Sequence, residues 1–253
     1  MEDSLRSKTA LVTGGSSGIG RATALAFAER GANVVVASRR VNEGEETVDL
    51  IRKTGGEARF VRTDVSVRED IEKLVGDCVK SYGGLDIAFN NAGIEGTPYV
   101  PTVEYEEDVW DEVLAINLKG VWLCLKAEIS QMLKGGGGSI VNMASVAGLK
   151  GVTIGSAYCA SKHGVIGLTK AAAREYAADG IRVNAVCPAI IKTDMAERIF
   201  FQDEQLTEHA NSLHPIGRLG ESEDVASAVV WLCSDHASFI TGHALPVDGG
   251  VLI

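Results

Sequence analysis

Long apolar runs are missing from this sequence. No stretch approaches the roughly 18 consecutive apolar residues that a membrane-spanning helix needs. The start of the chain, Met1 to Ser4, is acidic where a secretory signal is basic, and no apolar segment follows it. We therefore expect a soluble protein that carries neither a membrane anchor nor a secretory signal.

Cysteine is scarce, and its positions are scattered. An odd number of widely spaced cysteines indicates neither a disulfide framework nor a paired-cysteine metal site, and the sequence has five: Cys78, Cys124, Cys159, Cys187 and Cys233. The five histidines are also scattered, so no catalytic metal is expected. A reducing cytoplasm is the expected compartment.

Positive charge is in deficit, since the formal net charge is −10. A nucleic-acid or anionic-membrane partner needs a basic field, so both are excluded and a small-molecule ligand is favoured. At 253 residues, with 45% apolar residues and 29 glycines, the chain suits one globular α/β domain across residues 1–253.

Strands that alternate with helices run through most of the chain. An apolar strand, Lys8 to Thr13, leads through a glycine-rich turn into the helix Arg21 to Arg30, and the β-branched run Asn33 to Ala37 follows. The same alternation predicts helices at 43–53, 68–81, 108–133, 157–178 and 222–234, and strands at 58–62, 85–89, 139–143, 181–187 and 243–247. This order indicates a three-layer, doubly wound parallel sheet of about seven strands with helices on both faces.

Two stretches break the alternation. Gly135 to Gly138 is interpreted as a flexible connection before a strand. The segment Thr193 to Gly220 has no predicted strand and follows a strand end, where α/β sheets bind ligands. It is interpreted as a substrate lid over residues 193–220, and a variable surface excursion is the alternative.

The glycine-rich turn is suited to a dinucleotide. Its glycines let phosphate oxygens approach backbone N–H groups at a helix N-terminus, whose field favours an anion. The residues predicted to bind the cofactor here are Gly14, Ser16, Ser17, Gly18, Ile19 and Gly20.

The end of the second strand commonly selects between NAD and NADP, because a carboxylate there binds the ribose 2′-hydroxyl of NAD. This strand ends Ser38-Arg39-Arg40, with a hydroxyl and two guanidinium groups that suit a 2′-phosphate. NADP(H) is therefore the preferred cofactor, with NAD(H) possible. The alternative is a solvated arginine pair that opens the next helix.

Tyr158 and Lys162 are four residues apart in a predicted helix and share one face. A phenol with an ordinary pKa of about 10 needs help to ionise near neutral pH, and a fixed ammonium group supplies part of it. An isolated pair of this kind is more often a core-facing ring beside a solvated amine, so its meaning depends on the rest of the chain.

Five motifs together resemble the short-chain dehydrogenase/reductase family, and their order covers about residues 8–250. They are Thr13-Gly14-x-x-x-Gly18-Ile19-Gly20, Asn90-Asn91-Ala92-Gly93, Asn117, Ser145 and Tyr158-x-x-x-Lys162. The resemblance implies a Rossmann fold and a short-chain alcohol dehydrogenase or carbonyl reductase. One departure is Pro188-Ala189 in place of the family's usual Pro-Gly, which makes a positive φ there costly.

The resemblance also implies a catalytic role for each of four residues. Tyr158 would exchange a proton with the substrate oxygen, and Lys162 would lower the phenol pKa and bind the nicotinamide ribose. Ser145 would hold the substrate oxygen, and Asn117 would anchor a water that links Lys162 to solvent. Ser145 and Asn117 each have an alternative interpretation that would be favoured if Tyr158 and Lys162 were not present. Ser145 would then cap the turn after its strand, and Asn117 would bond a neighbouring backbone group.

Further residues are implied to contact the cofactor. Asp64 and Val65 would meet the adenine, and Asp64 could also cap a helix. Asn90 and Gly93 would line the adenosine ribose and stabilise the sheet centre. Pro188, Ile191 and Thr193 would lie at the nicotinamide, and the set is completed by Asn91 and Ala92.

The expected substrate is a largely hydrophobic ketone or secondary alcohol, because the candidate pocket residues are apolar: Val146, Ala147, Ile154, Ile190, Met195, Ile199, Phe200 and Phe201. Core packing is the alternative for some of them. A 3-oxoacyl-[acyl-carrier-protein] reductase ranks second, because the places where such reductases carry basic residues are Gly135 to Gly138 and Asp179 here. A non-catalytic nucleotide-sensing regulator is the alternative from another class.

The chain ends in three apolar residues, Val251-Leu252-Ile253. Burial against a neighbouring subunit is the hypothesis for this end, and the resemblance implies a homotetramer. Packing within its own subunit is the alternative.

Overall fold

A seven-stranded, all-parallel sheet forms the centre of the fold, with the strand order β3-β2-β1-β4-β5-β6-β7. The computed structural model describes residues 5–253, so the acidic start at Met1 to Ser4 lies outside the described residues. The strands are β1 Thr9–Thr13, β2 Asn33–Ser38, β3 Ala58–Arg62, β4 Ile87–Asn90, β5 Gly138–Met143, β6 Ile181–Pro188 and β7 Ala244–Val247. The predicted fold class is confirmed.

Helices cover both faces of this sheet. They are α1 Gly18–Glu29, α2 Val41–Lys53, α3 Arg68–Tyr82, α4 Glu107–Leu114, α5 Gly120–Gly135, α6 Ser156–Tyr176, α7 Asp194–Phe200, α8 Glu204–Ser212 and α9 Ser222–Cys233. Helices α3, α5 and α6 pack on one face, and α1, α2 and α9 pack on the other. Within residues 5–253, none of these helices is both long and apolar enough to cross a bilayer.

The side chains of β2 show why the sequence folds into a sheet covered on both sides. Val35 and Ala37 join the core cluster under α3, α5 and α6, whereas Val34 and Val36 join the cluster under α1 and α9. Successive residues of a strand point to opposite faces, so a strand apolar at every position is buried on both. All four side chains have no accessible surface.

The long helix predicted at 108–133 is wrong as one continuous element. Helix α4 ends at Leu114, a π-helical segment occupies Ala115–Lys119, and α5 begins at Gly120. A π segment inserts a wider turn between two α-helices, and such insertions are frequent at functional sites. The site residue Asn117 lies in this one.

The glycine run before β5 is a defined turn. Gly136 ends α5 with a φ of +85°, and Gly137 has a φ of +136°. A Cβ atom on Gly137 would lie 2.7 Å from the carbonyl oxygen of Gly180, so only glycine fits this close backbone approach. The segment predicted as a flexible connection therefore has a packing role.

Candidate active site

A cavity of about 750 Å³ opens at the carboxyl end of the parallel strands. Its walls come from the segments that follow β1 to β6, from the start of α6 and from the segment 193–220. The strand order reverses between β1 and β4, and a doubly wound sheet binds ligands at such a reversal. The topology thus brings the predicted site residues to one edge.

The glycine turn after β1 fits a dinucleotide phosphate group. Gly14 has a φ of +64°, and a Cβ atom there would lie 2.8 Å from Asn91 Nδ2. The same Asn91 amide nitrogen donates hydrogen bonds to the carbonyls of Thr13 and Gly14, at 3.1 Å each, and so holds the turn open. Among the described residues no side chain caps α1, so the N–H groups of its first turn are available to an anion.

Gly20 has a different role from the other turn residues. It is absent from the described cavity walls, whereas Gly14, Ser16, Ser17, Gly18 and Ile19 line the cavity. A Cβ atom on Gly20 would overlap the Gly14 carbonyl oxygen. Gly20 therefore permits close packing of helix and strand behind the turn, rather than contact with a bound cofactor.

Both arginines after β2 line the cavity at its adenosine end. Arg40 Nη2 donates to Ser16 Oγ at 3.1 Å and to Ser17 Oγ at 2.5 Å, so Arg40 spans the mouth of the glycine turn. Arg39 Nη1 lies 4.0 Å from Asp64 Oδ2. The sequence offered both guanidinium groups, and the structure shows that Arg40 is the one bonded to the glycine turn.

Asp64 does not cap α3, so the capping interpretation is wrong. Helix α3 starts at Arg68 after Val67, and Asp64 Oδ1 instead accepts hydrogen bonds from Ser66 N at 2.9 Å and Ser66 Oγ at 2.7 Å. Burial alone raises the pKa of Asp64, but the Ser66 hydrogen bonds and the charge of Arg39 outweigh it and hold the pKa below its ordinary value. Asp64 and Val65 both line the cavity.

Tyr158 and Lys162 are brought together in the middle of the cavity by α6. Both are buried, with 9% and 3% of their surfaces exposed. Lys162 Nζ lies 5.4 Å from the centre of the Tyr158 ring and donates a hydrogen bond to the Met143 carbonyl at 2.9 Å. The helical spacing predicted this shared face, and tertiary packing adds the carbonyl at the end of β5.

Burial dominates the titration of this pair. It raises the pKa of Tyr158 to about 12, although hydrogen bonding to Ser145 acts in the opposite direction. Burial also lowers the pKa of Lys162 to about 8. The expected depression of the phenol pKa by Lys162 is therefore not what this structure has, because removing the phenolate from water costs more than the neighbouring groups restore.

Ser145 lies directly after β5 and combines two roles. Its Oγ accepts a hydrogen bond from Ala147 N at 3.1 Å, which confirms the turn-cap interpretation. The hydroxyl also donates to the Pro188 carbonyl at 3.5 Å and lines the cavity beside Tyr158. Capping fixes the orientation of the hydroxyl without removing it from the cavity.

Asn117 is fully buried behind the cavity and bonds the backbone, as the alternative interpretation predicted. Its Oδ1 accepts from Ile94 N and its Nδ2 donates to Ile94 O, both at 2.8 Å. A Cβ atom on Gly93 would lie 3.2 Å from Asn117 Oδ1 and 3.6 Å from Lys162 Nζ. Asn117, Gly93 and Lys162 therefore form one packed layer under Tyr158.

Asn90 does not line the ribose pocket, which corrects one prediction. Its Nδ2 donates to Glu128 Oε2 at 2.9 Å and to Asn142 Oδ1 at 3.0 Å, deep in the sheet. Its predicted role at the sheet centre stands. The other predicted cofactor residues do line the cavity: Ser38, Asn91, Ala92, Gly93, Pro188, Ile191 and Thr193.

The Pro188-Ala189 departure leaves the backbone unstrained. Within the described residues, positive φ angles outside glycine occur at Ser7 and Tyr99, and Ala189 is not one of them. Its N–H donates to the Val247 carbonyl at 3.3 Å. Alanine is therefore compatible with this turn.

The walls of the substrate half of the cavity include the predicted apolar residues except Phe201, which packs under α7 and α8 outside the described walls. The prediction missed several lining residues: Glu95, Tyr99, Val152, Arg198, Leu206, His209, Leu213 and His214. Glu95 and Tyr99 follow the Asn-Asn-Ala-Gly run closely, and that position is the signal that could have found them. The segment 193–220 contributes α7 and α8 to this wall.

A parallel sheet with a phosphate-binding turn at its reversal point, next to a buried phenol and ammonium, defines a dinucleotide-dependent oxidoreductase. The family model described as enoyl-(acyl carrier protein) reductase matches residues 14–252. The chain belongs to the short-chain dehydrogenase/reductase family, whose members use NAD or NADP, and it is an enzyme acting on alcohols.

Individual relatives cover almost the whole chain. A 2,5-dichloro-2,5-cyclohexadiene-1,4-diol dehydrogenase of Sphingobium indicum is 45% identical over 97% of both chains. A cyclohexanol dehydrogenase of Acinetobacter sp. is 44% identical over 98% of this chain and 96% of its own. The crystal structure of levodione reductase superimposes with a TM-score of 0.93 at 37% identity, over 97% of this chain and 98% of that one.

Proposed function

We propose that the protein is an NADP(H)-dependent oxidoreductase that interconverts a largely hydrophobic ketone and the corresponding secondary alcohol. The observation that carries this proposal is the position of Tyr158 and Ser145, where the glycine-turn half of the cavity meets its apolar half. Relatives named for cyclohexanol and for a cyclohexadiene diol favour a ring-bearing substrate.

The nicotinamide, when bound, supplies or accepts the hydride. The protein handles the proton: Tyr158 donates its phenolic proton to the carbonyl oxygen during reduction and takes it back during oxidation. Ser145, oriented by the Ala147 N–H, holds that oxygen within hydrogen-bond reach of the phenol. Burial of the phenol excludes competing water from the transfer.

Lys162 and Asn117 support the proton transfer. A phenol with a pKa of about 12 stays protonated at neutral pH, which suits the reduction direction. Oxidation needs a phenolate, and the ammonium of Lys162 over the ring stabilises it. Asn117, packed against Gly93 and Lys162, is in position to hold a water that returns the proton from solvent.

Arg39 and Arg40 select NADP(H) by binding the 2′-phosphate. Both are exposed, both line the adenosine end of the cavity, and no carboxylate stands at the end of β2. Replacing Arg40 by Ala should raise the KM for NADP about tenfold while leaving the KM for NAD nearly unchanged, since a hydrogen bond to a charged group contributes about 1.5–3 kcal/mol. Arg39→Ala reports separately on the second guanidinium, and an unchanged cofactor preference in both variants contradicts the assignment.

The substrate class is tested by following absorbance of the reduced nicotinamide. Both cofactors are supplied with cyclic, aliphatic and steroid ketones and with a 3-oxoacyl carrier-protein substrate. Turnover of cyclic ketones supports the proposal, and turnover of the carrier-protein substrate alone supports the reductase alternative. Absence of turnover with every compound supports the regulator alternative.

We also propose a homotetramer in the cytoplasm. Phe239 and Ile253 are fully exposed, and burial against a neighbouring subunit would remove their apolar surface from water. Val251 contacts its own subunit, since its carbonyl accepts a hydrogen bond from Lys150 Nζ at 3.2 Å, whereas the exposed side chain of Ile253 supports the hypothesis of a neighbouring subunit. Light scattering that gives a monomer at micromolar concentration contradicts the tetramer.

A further inference from the structure

Glu95 is a carboxylate built into the wall of the substrate half of the cavity. It lies two residues after Gly93, on the segment between β4 and α4, and only 15% of its side-chain surface is exposed. Its Oε1 accepts a hydrogen bond from Arg198 Nε at 2.6 Å. Arg198 belongs to α7, and 58% of its side chain is exposed, so the guanidinium covers Glu95 from the solvent side.

The second carboxylate oxygen of Glu95 has no partner among the described residues. A carboxylate offers about four acceptor positions, and the hydrogen bond from Arg198 uses one of them. Most walls of this half are apolar, including Val146, Ile199 and Phe200. The second oxygen therefore remains free to accept a hydrogen bond from a donor that enters the cavity.

The carboxylate is also close enough to the phenol to affect it. After burial and the hydrogen bond to Ser145, the charge of Glu95 is the next influence on the pKa of Tyr158, and it raises that pKa. A molecule whose reacting oxygen sits at Tyr158 thus lies within the field of Glu95.

The other carboxylates of the cavity do not compete for this role. Asp64 lies at the adenosine end and is occupied by Ser66 and Arg39. Asp194 is exposed at the start of α7. Glu95 is the sheltered carboxylate in the substrate half.

We infer that Glu95 selects substrates carrying a second hydroxyl group, so that the preferred compounds are ring diols and hydroxyketones rather than simple alcohols. The remote hydroxyl donates to the free oxygen of Glu95 while the reacting oxygen faces Tyr158 and Ser145. Arg198 is the positioning residue that holds the carboxylate. This inference rests on the proposed alcohol and ketone chemistry and narrows its substrate class.

The test compares kcat/KM for the 1,2-, 1,3- and 1,4-cyclohexanediols with kcat/KM for cyclohexanol in the wild-type enzyme. At least one diol should exceed cyclohexanol about 10- to 100-fold, the range for a hydrogen bond to a charged group. The monomethyl ether of that diol keeps the size and loses the donor, so it should fall back to the level of cyclohexanol. Equal values for the diol and its ether overturn the inference.

Glu95→Gln separates recognition from a structural role. The amide oxygen can still accept from Arg198, which leaves the NH2 group, a donor, facing the cavity. The ratio of kcat/KM between the preferred diol and cyclohexanol should therefore fall about 10-fold or more. If Glu95 only joins its segment between β4 and α4 to α7 through Arg198, the ratio stays at the wild-type value.

The outcomes with the wild-type enzyme separate this inference from the proposed function. If the wild-type enzyme turns over no alcohol or ketone, the proposed function fails. Turnover without a preference for diols refutes this inference alone.

Discussion

Lys162 Nζ lies over the face of the Tyr158 ring, 5.4 Å from its centre, and it donates a hydrogen bond to the Met143 carbonyl rather than to the phenol oxygen. The backbone carbonyl at the end of β5 therefore holds the ammonium at the face of the ring. Met143 is the last residue of β5, and Tyr158 is on α6. Lys162 therefore connects the edge of the sheet to the phenol, because its ammonium contacts both the Met143 carbonyl and the Tyr158 ring.

Replacing Tyr158 by Phe removes the proton and keeps the ring. We expect kcat for ketone reduction to fall about 10²- to 10⁴-fold, the usual contribution of general acid–base catalysis. Steady-state kinetics measures the loss. Tyr176→Phe is the matched control, because Tyr176 is on the same helix and packs against the core away from the cavity. Near-normal turnover of Tyr158→Phe rules out the proposed proton transfer.

The charge of Lys162 predicts a pH limit for the reduction. Its pKa is lowered to about 8, so the ammonium is present below this pH and is lost above it, while Tyr158 keeps its proton to about 12. We expect kcat/KM for ketone reduction to fall above pH 8, approaching tenfold per pH unit. A pH–rate profile of the free enzyme tests this, and a profile flat to pH 10 would show that the ammonium is dispensable.

Glu128 makes stability depend on pH. Burial raises its pKa to about 7 from 4.5, against the opposing hydrogen bond from Asn90. The stabilising contribution of the bound proton is complete below pH 4.5 and is lost as the pH rises through 7, which amounts to about 3 kcal/mol. Glu128 Oε1 and Asn90 Oδ1 both lack a partner in the described residues, and a protonated carboxyl could join them.

Glu128→Gln should remove this dependence, because the amide is neutral at every pH and can pair with Asn90. The free energy of unfolding in urea, measured from pH 5 to pH 8, should lose the part of its downward slope that Glu128 contributes. Glu112→Gln, at an exposed position of α4, provides the comparison. An unchanged slope in Glu128→Gln contradicts the assignment of the proton to this carboxyl.

Gly18 and Gly167 give opposite expectations for the same substitution. Gly18 has a φ of +50°, and its added Cβ would lie 3.1 Å from Thr193 Cγ2, so Gly18→Ala strains the phosphate turn by about 1–2 kcal/mol. We expect cofactor affinity to drop about tenfold in a fluorescence titration. Gly167 is within α6 with open space around its Cβ position, so Gly167→Ala should raise the free energy of unfolding by about 1 kcal/mol. Equal cofactor affinity in both variants refutes the assignment of the turn.

Much of the fold and part of the site followed from local sequence. The strand predicted at 58–62 coincides with β3, and the β-branched run at 33–37 became a strand buried on both faces. Helical spacing was enough to place Tyr158 and Lys162 on one face of α6. These features depend on residues close in the chain, whose periodicity and glycine positions limit the backbone directly.

The tertiary structure decided what depends on distant neighbours. Asn117 lies in a π segment and bonds Ile94, 23 positions earlier, and a helical pattern contains no sign of that partner. Glu95 meets Arg198 across 103 positions, and only the folded cavity shows which carboxylate oxygen stays free. The pKa of Tyr158 rises rather than falls, because desolvation is a property of the packed site. The sequence by itself determined the elements and the chemical groups, whereas packing determined their partners, their burial and hence their reactivity.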